Sequence, residues 1–128
     1  MNSIVLDASA LLAVLNREPG ADKLTPELLS GAVSSTVNLA EVHGKLVGRG
    51  INPDQAWEAT LSPIREAMAF TAEHAEIAGT LITHTRALGL SLGDRACLAL
   101  GLALRAPVYT ADKSWKSLRV GVRIHVIR

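Results

Sequence analysis

Short, unbroken apolar runs alternate with longer stretches of helical period from one end of the chain to the other. The first run, Ile4-Val5-Leu6 within Ser3 to Asp7, has the length and composition of a buried strand. Ala8 to Asn16 follows as a helix, stopped by Glu18-Pro19-Gly20. A short helix is expected over Asp22 to Ser30, with Pro26 near its first turn, and a second strand over Ala32 to Thr36. Val37 to Gly48 places Leu39, Val42, Leu46 and Val47 at helical spacing. Asn52-Pro53-Asp54-Gln55 reads as a helix start: Asn52 caps, Pro53 takes the first helical position, and Gln55 can reach back. The pattern then predicts a strand over Ala67 to Phe70 and a long helix from Glu73 to Leu88, ended by Gly89. Gly93 to Arg105 is almost wholly apolar, so that helix belongs in the centre of the fold. Val108 to Thr110 and Arg123 to Ile127 are the last strands, with a short helix at Lys113 to Leu118 between them.

Strands separated by helices point to an α/β protein whose parallel sheet carries helices on both faces. Ligands of such sheets bind beyond the carboxyl ends of the strands. With 128 residues and no linker-like stretch, a single domain over 1–128 is expected. Hydrophobic residues make up 48% and aromatics only 3%, so Leu, Ala, Val and Ile must build the core. Cys97 is alone, which excludes an internal disulfide and suits a reducing compartment. The N-terminal region has no basic segment leading into a long apolar one, because Asp7 interrupts the first run. No stretch reaches the ~20 apolar residues of a membrane span. A soluble, cytoplasmic protein without membrane contact is the expectation.

Against this background, four acids stand out by position. Asp7 ends the first strand, and Asp112 follows Val108-Tyr109-Thr110 in the same way. Asp94 opens the apolar helix, and Glu41 lies mid-helix on a polar stripe with Asn38 and Lys45. Each has a purely structural alternative: a cap or first-turn acid for Asp7, Asp94 and Asp112, and a Glu41–Lys45 pair on a solvated face. Gathering them costs energy, since two unit charges ~4 Å apart repel by ~4 kcal/mol at an effective dielectric of 20. A divalent cation offsets that repulsion. Mg²⁺ and Mn²⁺ take oxygen ligands, and one or two such ions suit phosphodiester hydrolysis. Ser9, Asn38 and Thr110 are candidates for orienting the acids.

The remaining polar residues add less. Thirteen basic against 12 acidic residues gives a net charge of +1; with four acids neutralised by metal, 13 minus 8 leaves +5, compatible with a polyanion. Lys45, Arg49, Arg95, Lys113 and Lys116 are the candidates for phosphate-backbone contact. His43, His74, His84 and His125 have no metal-binding spacing and read as structural or surface residues, with His74 and His84 on an exposed helix. Cys97 reads as core, and Trp57 and Trp115 as packing residues. An aspartyl-phosphatase reading, with Asp7 as nucleophile, lacks the second acid of Asp-x-Asp because position 9 is Ser.

Four segments match a known family in order: Val5-Leu6-Asp7-Ala8-Ser9-Ala10-Leu11-Leu12-Ala13, Ser35-Thr36-Val37-Asn38-Leu39-Ala40-Glu41-Val42, Leu90 to Leu100 around Gly93-Asp94-Arg95, and Val108-Tyr109-Thr110-Ala111-Asp112-Lys113-Ser114-Trp115. They span nearly the whole chain, and together they resemble PIN-domain ribonucleases, specifically VapC-type toxins of toxin–antitoxin pairs. The resemblance implies a PIN-like three-layer α/β/α sandwich around a central, mainly parallel sheet. It implies that Asp7, Glu41, Asp94 and Asp112 hold Mg²⁺ or Mn²⁺, assisted by Ser9 and Thr110, for cleavage of single-stranded or loop RNA. It further implies a homodimer and a cognate VapB-type antitoxin, with the motif-free region from Gly48 to Thr71 available for such contacts. A catalytically inert PIN-fold RNA-binding or interaction module is the alternative.

Overall fold

The computed structural model describes residues 2–128. Five strands form the sheet: β1 (Ile4–Leu6), β2 (Ala32–Ser35), β3 (Glu66–Met68), β4 (Val108–Thr110) and β5 (Ile124–Val126). Their order is β3-β2-β1-β4-β5, and every neighbouring pair is parallel. Around it lie α1 (Ala8–Asn16), α2 (Pro26–Leu29), α3 (Thr36–Gly48), α4 (Pro53–Leu61), α5 (Ala72–Thr80), α6 (Ile82–Thr85) and α7 (Leu92–Leu104).

The alternation of side chains along each strand builds two cores. Ile4, Leu6 and Ala32 face Leu11, Leu39, Val42 and Leu46 of α1 and α3. Val5, Val33 and Val108 face Cys97, Leu98 and Leu100 of α7, together with Leu81 and Trp115. The result is an α/β/α sandwich. With both faces covered, β1 has no polar residue among its three buried positions. β3, at the sheet edge, is mostly exposed and shorter than the predicted Ala67 to Phe70, pairing Glu66 to Met68 with β2.

Two predicted helices are subdivided, and a third is a 3₁₀ turn. Asp22 to Ser30 resolves into a 3₁₀ turn at Ala21–Lys23 and α2, because Thr25 precedes a proline and takes an extended cap conformation. The long helix predicted from Glu73 to Leu88 breaks after Thr80 into α5, α6 and a 3₁₀ turn at Arg86–Leu88. Thr80 and Thr85 donate their hydroxyls to the carbonyls of Glu76 and Leu81, and this β-branched, back-bonding stretch weakens the helix. Gly89 ends it in the left-handed region, as expected (φ 65°). Lys113 to Leu118 is a 3₁₀ turn over Lys113–Ser117.

His74 is a correction to the sequence reading. It is buried, tilted against Phe70, and sits on the face of α5 that packs on α7 instead of facing solvent. Trp115 is fully buried, whereas Trp57 remains 40% exposed with the His43 ring edge-on against it. Among the described residues no helix is long and apolar enough to cross a membrane.

Candidate active site

The strand order reverses direction at β1 and β4, which leaves a crevice beyond their carboxyl ends. Asp7 follows β1 there, and Asp112 stands two residues beyond Thr110, the last residue of β4. Glu41 reaches the same place from α3 and Asp94 from the first turn of α7. All four line one pocket of about 350 Å³, with Ser9, Leu12, Glu18, Lys45, Arg49 and Arg128 on its walls.

Asp7 is the deepest of the four, 3% exposed. Its Oδ1 accepts from the Ala10 amide and the Ser9 hydroxyl, both at 2.8 Å, and its Oδ2 accepts from the Thr110 hydroxyl at 2.6 Å. Burial nevertheless dominates and raises its pKa from 3.8 to about 6, with the nearby Asp94 charge adding to the rise. The buried Cys97 thiol feels the same field. Burial pushes it well above its usual range, and the charges of Asp7, Asp94 and Glu41 push it further. This thiol is therefore protonated packing and not a nucleophile.

Three of these acids cap an element as well as line the pocket. Asp7 caps α1, Asp112 caps the Lys113 turn through Ser114, and Asp94 completes a capping box with Ser91. Asp94 uses Oδ2 for the Ser91 amide, and Asp112 uses Oδ1 for the Ser114 amide and hydroxyl. One oxygen of each therefore remains without a hydrogen bond among the described residues. Glu41 is positioned by packing. Buried Asn38 donates from Nδ2 both to Glu41 Oε1 at 2.9 Å and to the Gly93 carbonyl at 3.0 Å, which ties α3 to α7. A Cβ at Gly93 would lie 2.3 Å from Glu41 Oε1, so only glycine lets this carboxylate lie against α7. Ser9 also donates toward Asp7 while accepting from the Ala111 amide, linking the β1 and β4 ends of the crevice.

The donor set is all oxygen, from carboxylates with no ion-pair partner among the described residues, and it suits a hard divalent cation. Among the described residues, no three His, Cys, Asp or Glu side chains are grouped closely enough to hold a metal ion as they stand.

Against family models, the PIN domain matches residues 4–120. The chain belongs to the PIN-domain family. Several solved structures are similar to this PIN domain. The DNA-bound VapBC of Salmonella typhimurium aligns with TM-score 0.78 at 16% identity, covering 100% of both chains. VapBC2 from Rickettsia felis, bound to a DNA fragment from its promoter, gives 0.74 at 20% identity over 98% of each chain. Mycobacterium tuberculosis VapC20, a sarcin–ricin loop cleaving toxin, gives 0.73 at 23% identity, covering 94% of this chain and 99% of that one. No curated protein matches the sequence.

The basic candidates divide. Lys45 and Arg49 continue the Glu41 line of α3 at i+4 and i+8 and reach the pocket wall. Lys113 and Lys116 are exposed beside Asp112 but do not line the pocket of this PIN domain. Half-buried Arg95 donates from its guanidinium to the Ala78 carbonyl at 2.9 Å, which braces α7 against α5, and it does not line the pocket. Glu18 and Arg128 escaped the sequence reading. They pair at 3.0 Å on the pocket wall, brought there because Gly20 packs against the Ile127 carbonyl. Nothing in their local pattern marks them, since they lie 110 positions apart.

Proposed function

We propose that this PIN domain is an Mg²⁺- or Mn²⁺-dependent endoribonuclease of the VapC toxin type, which cleaves single-stranded or loop RNA in the cytoplasm. The observation that carries this reading is the convergence of Asp7, Glu41, Asp94 and Asp112 on one pocket at the strand-order reversal. The family and the likeness to VapBC structures support it, as does the likeness to VapC20, a sarcin–ricin loop cleaving toxin.

Asp7, Glu41, Asp94 and Asp112 would hold one or two ions. Bound there, a divalent cation supplies water activation and stabilisation of the leaving oxygen in phosphodiester hydrolysis. The chain's own residues do the positioning. Ser9 and Thr110 lock both oxygens of Asp7 in place, and Asn38 with Gly93 sets Glu41. Lys45 and Arg49, one and two turns along α3 from Glu41, receive the phosphates flanking the cut. Leu12 closes one wall. A VapB-type antitoxin restrains the toxin in this reading, and the protein acts as a homodimer.

The test is Asp7→Asn assayed for Mg²⁺-dependent RNA cleavage, alongside calorimetric titration of Mn²⁺ into wild-type protein. Loss of cleavage by ~100-fold or more, with the fold retained, is expected. Full activity in the folded variant ends the assignment, and a wild-type protein that takes up no Mn²⁺ makes the inert module the better reading.

A further inference from the structure

A second cavity, of about 540 Å³, lies at the opposite end of the sheet, where β1, β4 and β5 begin. Arg105, Tyr109, Arg123 and His125 line it over a floor of Ile4 and Leu28. Tyr109 and His125 are register partners on β4 and β5, and their rings stack 4.6 Å apart at 17°. Arg105 and Arg123 are exposed and, among the described residues, neither forms an ion pair or a side-chain hydrogen bond. Arg105 is also held in a left-handed conformation (φ 54°) as the cap of α7, a place where glycine is the usual and less strained residue. Arg17 caps α1 in the same conformation (φ 52°), so what sets this cavity apart is the pair of unpaired cations beside a stacked ring pair. The acidic pocket makes no use of it.

Unpaired guanidinium groups flanking aromatic rings are how proteins hold single-stranded nucleic acid: cations take the phosphates and rings take the bases. The His125 ring is kept largely uncharged at neutral pH, because burial first, and the Arg123 charge second, hold its pKa below the usual value. An acidic peptide would satisfy the arginines but bring no planar group to extend the Tyr109–His125 stack.

We propose that this cavity is a second RNA site, which holds a nucleotide of the substrate strand outside the segment being cut, with the base against Tyr109 and His125 and the phosphates between Arg105 and Arg123. The choice of RNA rests on the nuclease reading above. The site would extend the footprint to the far end of the sheet and favour long single strands over short ones.

The test uses the full chain carrying Asp7→Asn, so that binding is read without cleavage, and fluorescence anisotropy with a labelled hexanucleotide and a strand of about 30 nucleotides. Adding Arg105→Gln and Arg123→Gln is expected to weaken the long strand about tenfold and to leave the hexanucleotide unchanged. The slope of log affinity against log salt should fall by about 1.4, roughly 0.7 for each phosphate contact on a single strand. Arg105→Gly should melt at a higher temperature yet bind the long strand more weakly, which a merely structural arginine would not do. Unchanged affinity and slope in the double variant overturn the proposal, as does an equal loss for both lengths. So does an acidic peptide that binds through these arginines while RNA does not. If the wild-type chain fails to cleave RNA but long-strand binding still depends on Arg105 and Arg123, the nuclease reading falls and this site stands.

Discussion

Asp7 concentrates the conflict between folding and function in one side chain. Three hydrogen bonds favour its charge, yet burial outweighs them and lifts its pKa to about 6, against 3.8 in an open chain. The folded state therefore binds the proton more tightly than the unfolded state. Protein freed of metal should lose stability as pH rises from about 4 to about 6, by on the order of 3 kcal/mol from this group. Above that window the full penalty remains, and a cation bound beside Asp7 would relieve it. Chemical denaturation in chelator across that range is the measurement, and the contribution should vanish in Asp7→Asn. Gly93 carries a complementary prediction. Ala at this position would improve helix propensity by up to about 1 kcal/mol, but its Cβ would displace Glu41. Gly93→Ala should therefore keep or raise the melting temperature while lowering Mn²⁺ affinity and cleavage by about tenfold or more.

At the level of elements, caps explain why helices begin where the acids are. Asp7, Asp94 and Asp112 each satisfy amides at a helix or turn start, so a residue needed there for folding is also delivered to the strand-end crevice. Capping these elements thus does not keep the three residues out of the pocket. The tail after β5 is placed by a different element-level contact. Gly20, at φ 93°, packs so closely on the Ile127 carbonyl that a Cβ there would lie 2.2 Å from it. Gly20→Ala should cost ~2 kcal/mol or more, from left-handed strain and from the forced shift of the tail, and should detach Arg128 from Glu18. Thermal melting together with amide exchange at Ile127 would show both effects, and an unshifted melt would mean that this contact does not hold the tail.

For the molecule as a whole, the topology decides where charge accumulates. The order β3-β2-β1-β4-β5 forces the loops after β1 and β4 apart on opposite faces and opens the crevice between them. Four acids fill it, while Lys45, Arg49 and Arg128 stand on its walls. Lys45→Gln with Arg49→Gln should raise KM for RNA and flatten its salt dependence, by about 0.7 in slope per phosphate contact, with kcat nearly unchanged. A fall in kcat at constant KM would instead place these two side chains in the chemical step.

Element order, the α/β class and the chemical type of the candidate site were all legible in the sequence. Periodicity, caps and strand-end acids are local signals, set within a few residues by backbone geometry. Asp7, Asp94 and Asp112, up to 105 positions apart, could be named before any fold was known because each occupies such a local boundary, whereas mid-helix Glu41 stood out only by its polar stripe and the family resemblance. Side-chain partnerships across the fold were not legible. Arg95 and Lys45 look alike as helical cations in sequence, yet packing turns one onto the Ala78 carbonyl and the other toward the pocket. His74 was misplaced for the same reason, since its burial depends on where α5 meets α7. Glu18 with Arg128, and Tyr109 with His125, exist as pairs only because distant strands and turns dock in one register, a consequence of tertiary contacts with no counterpart in local pattern.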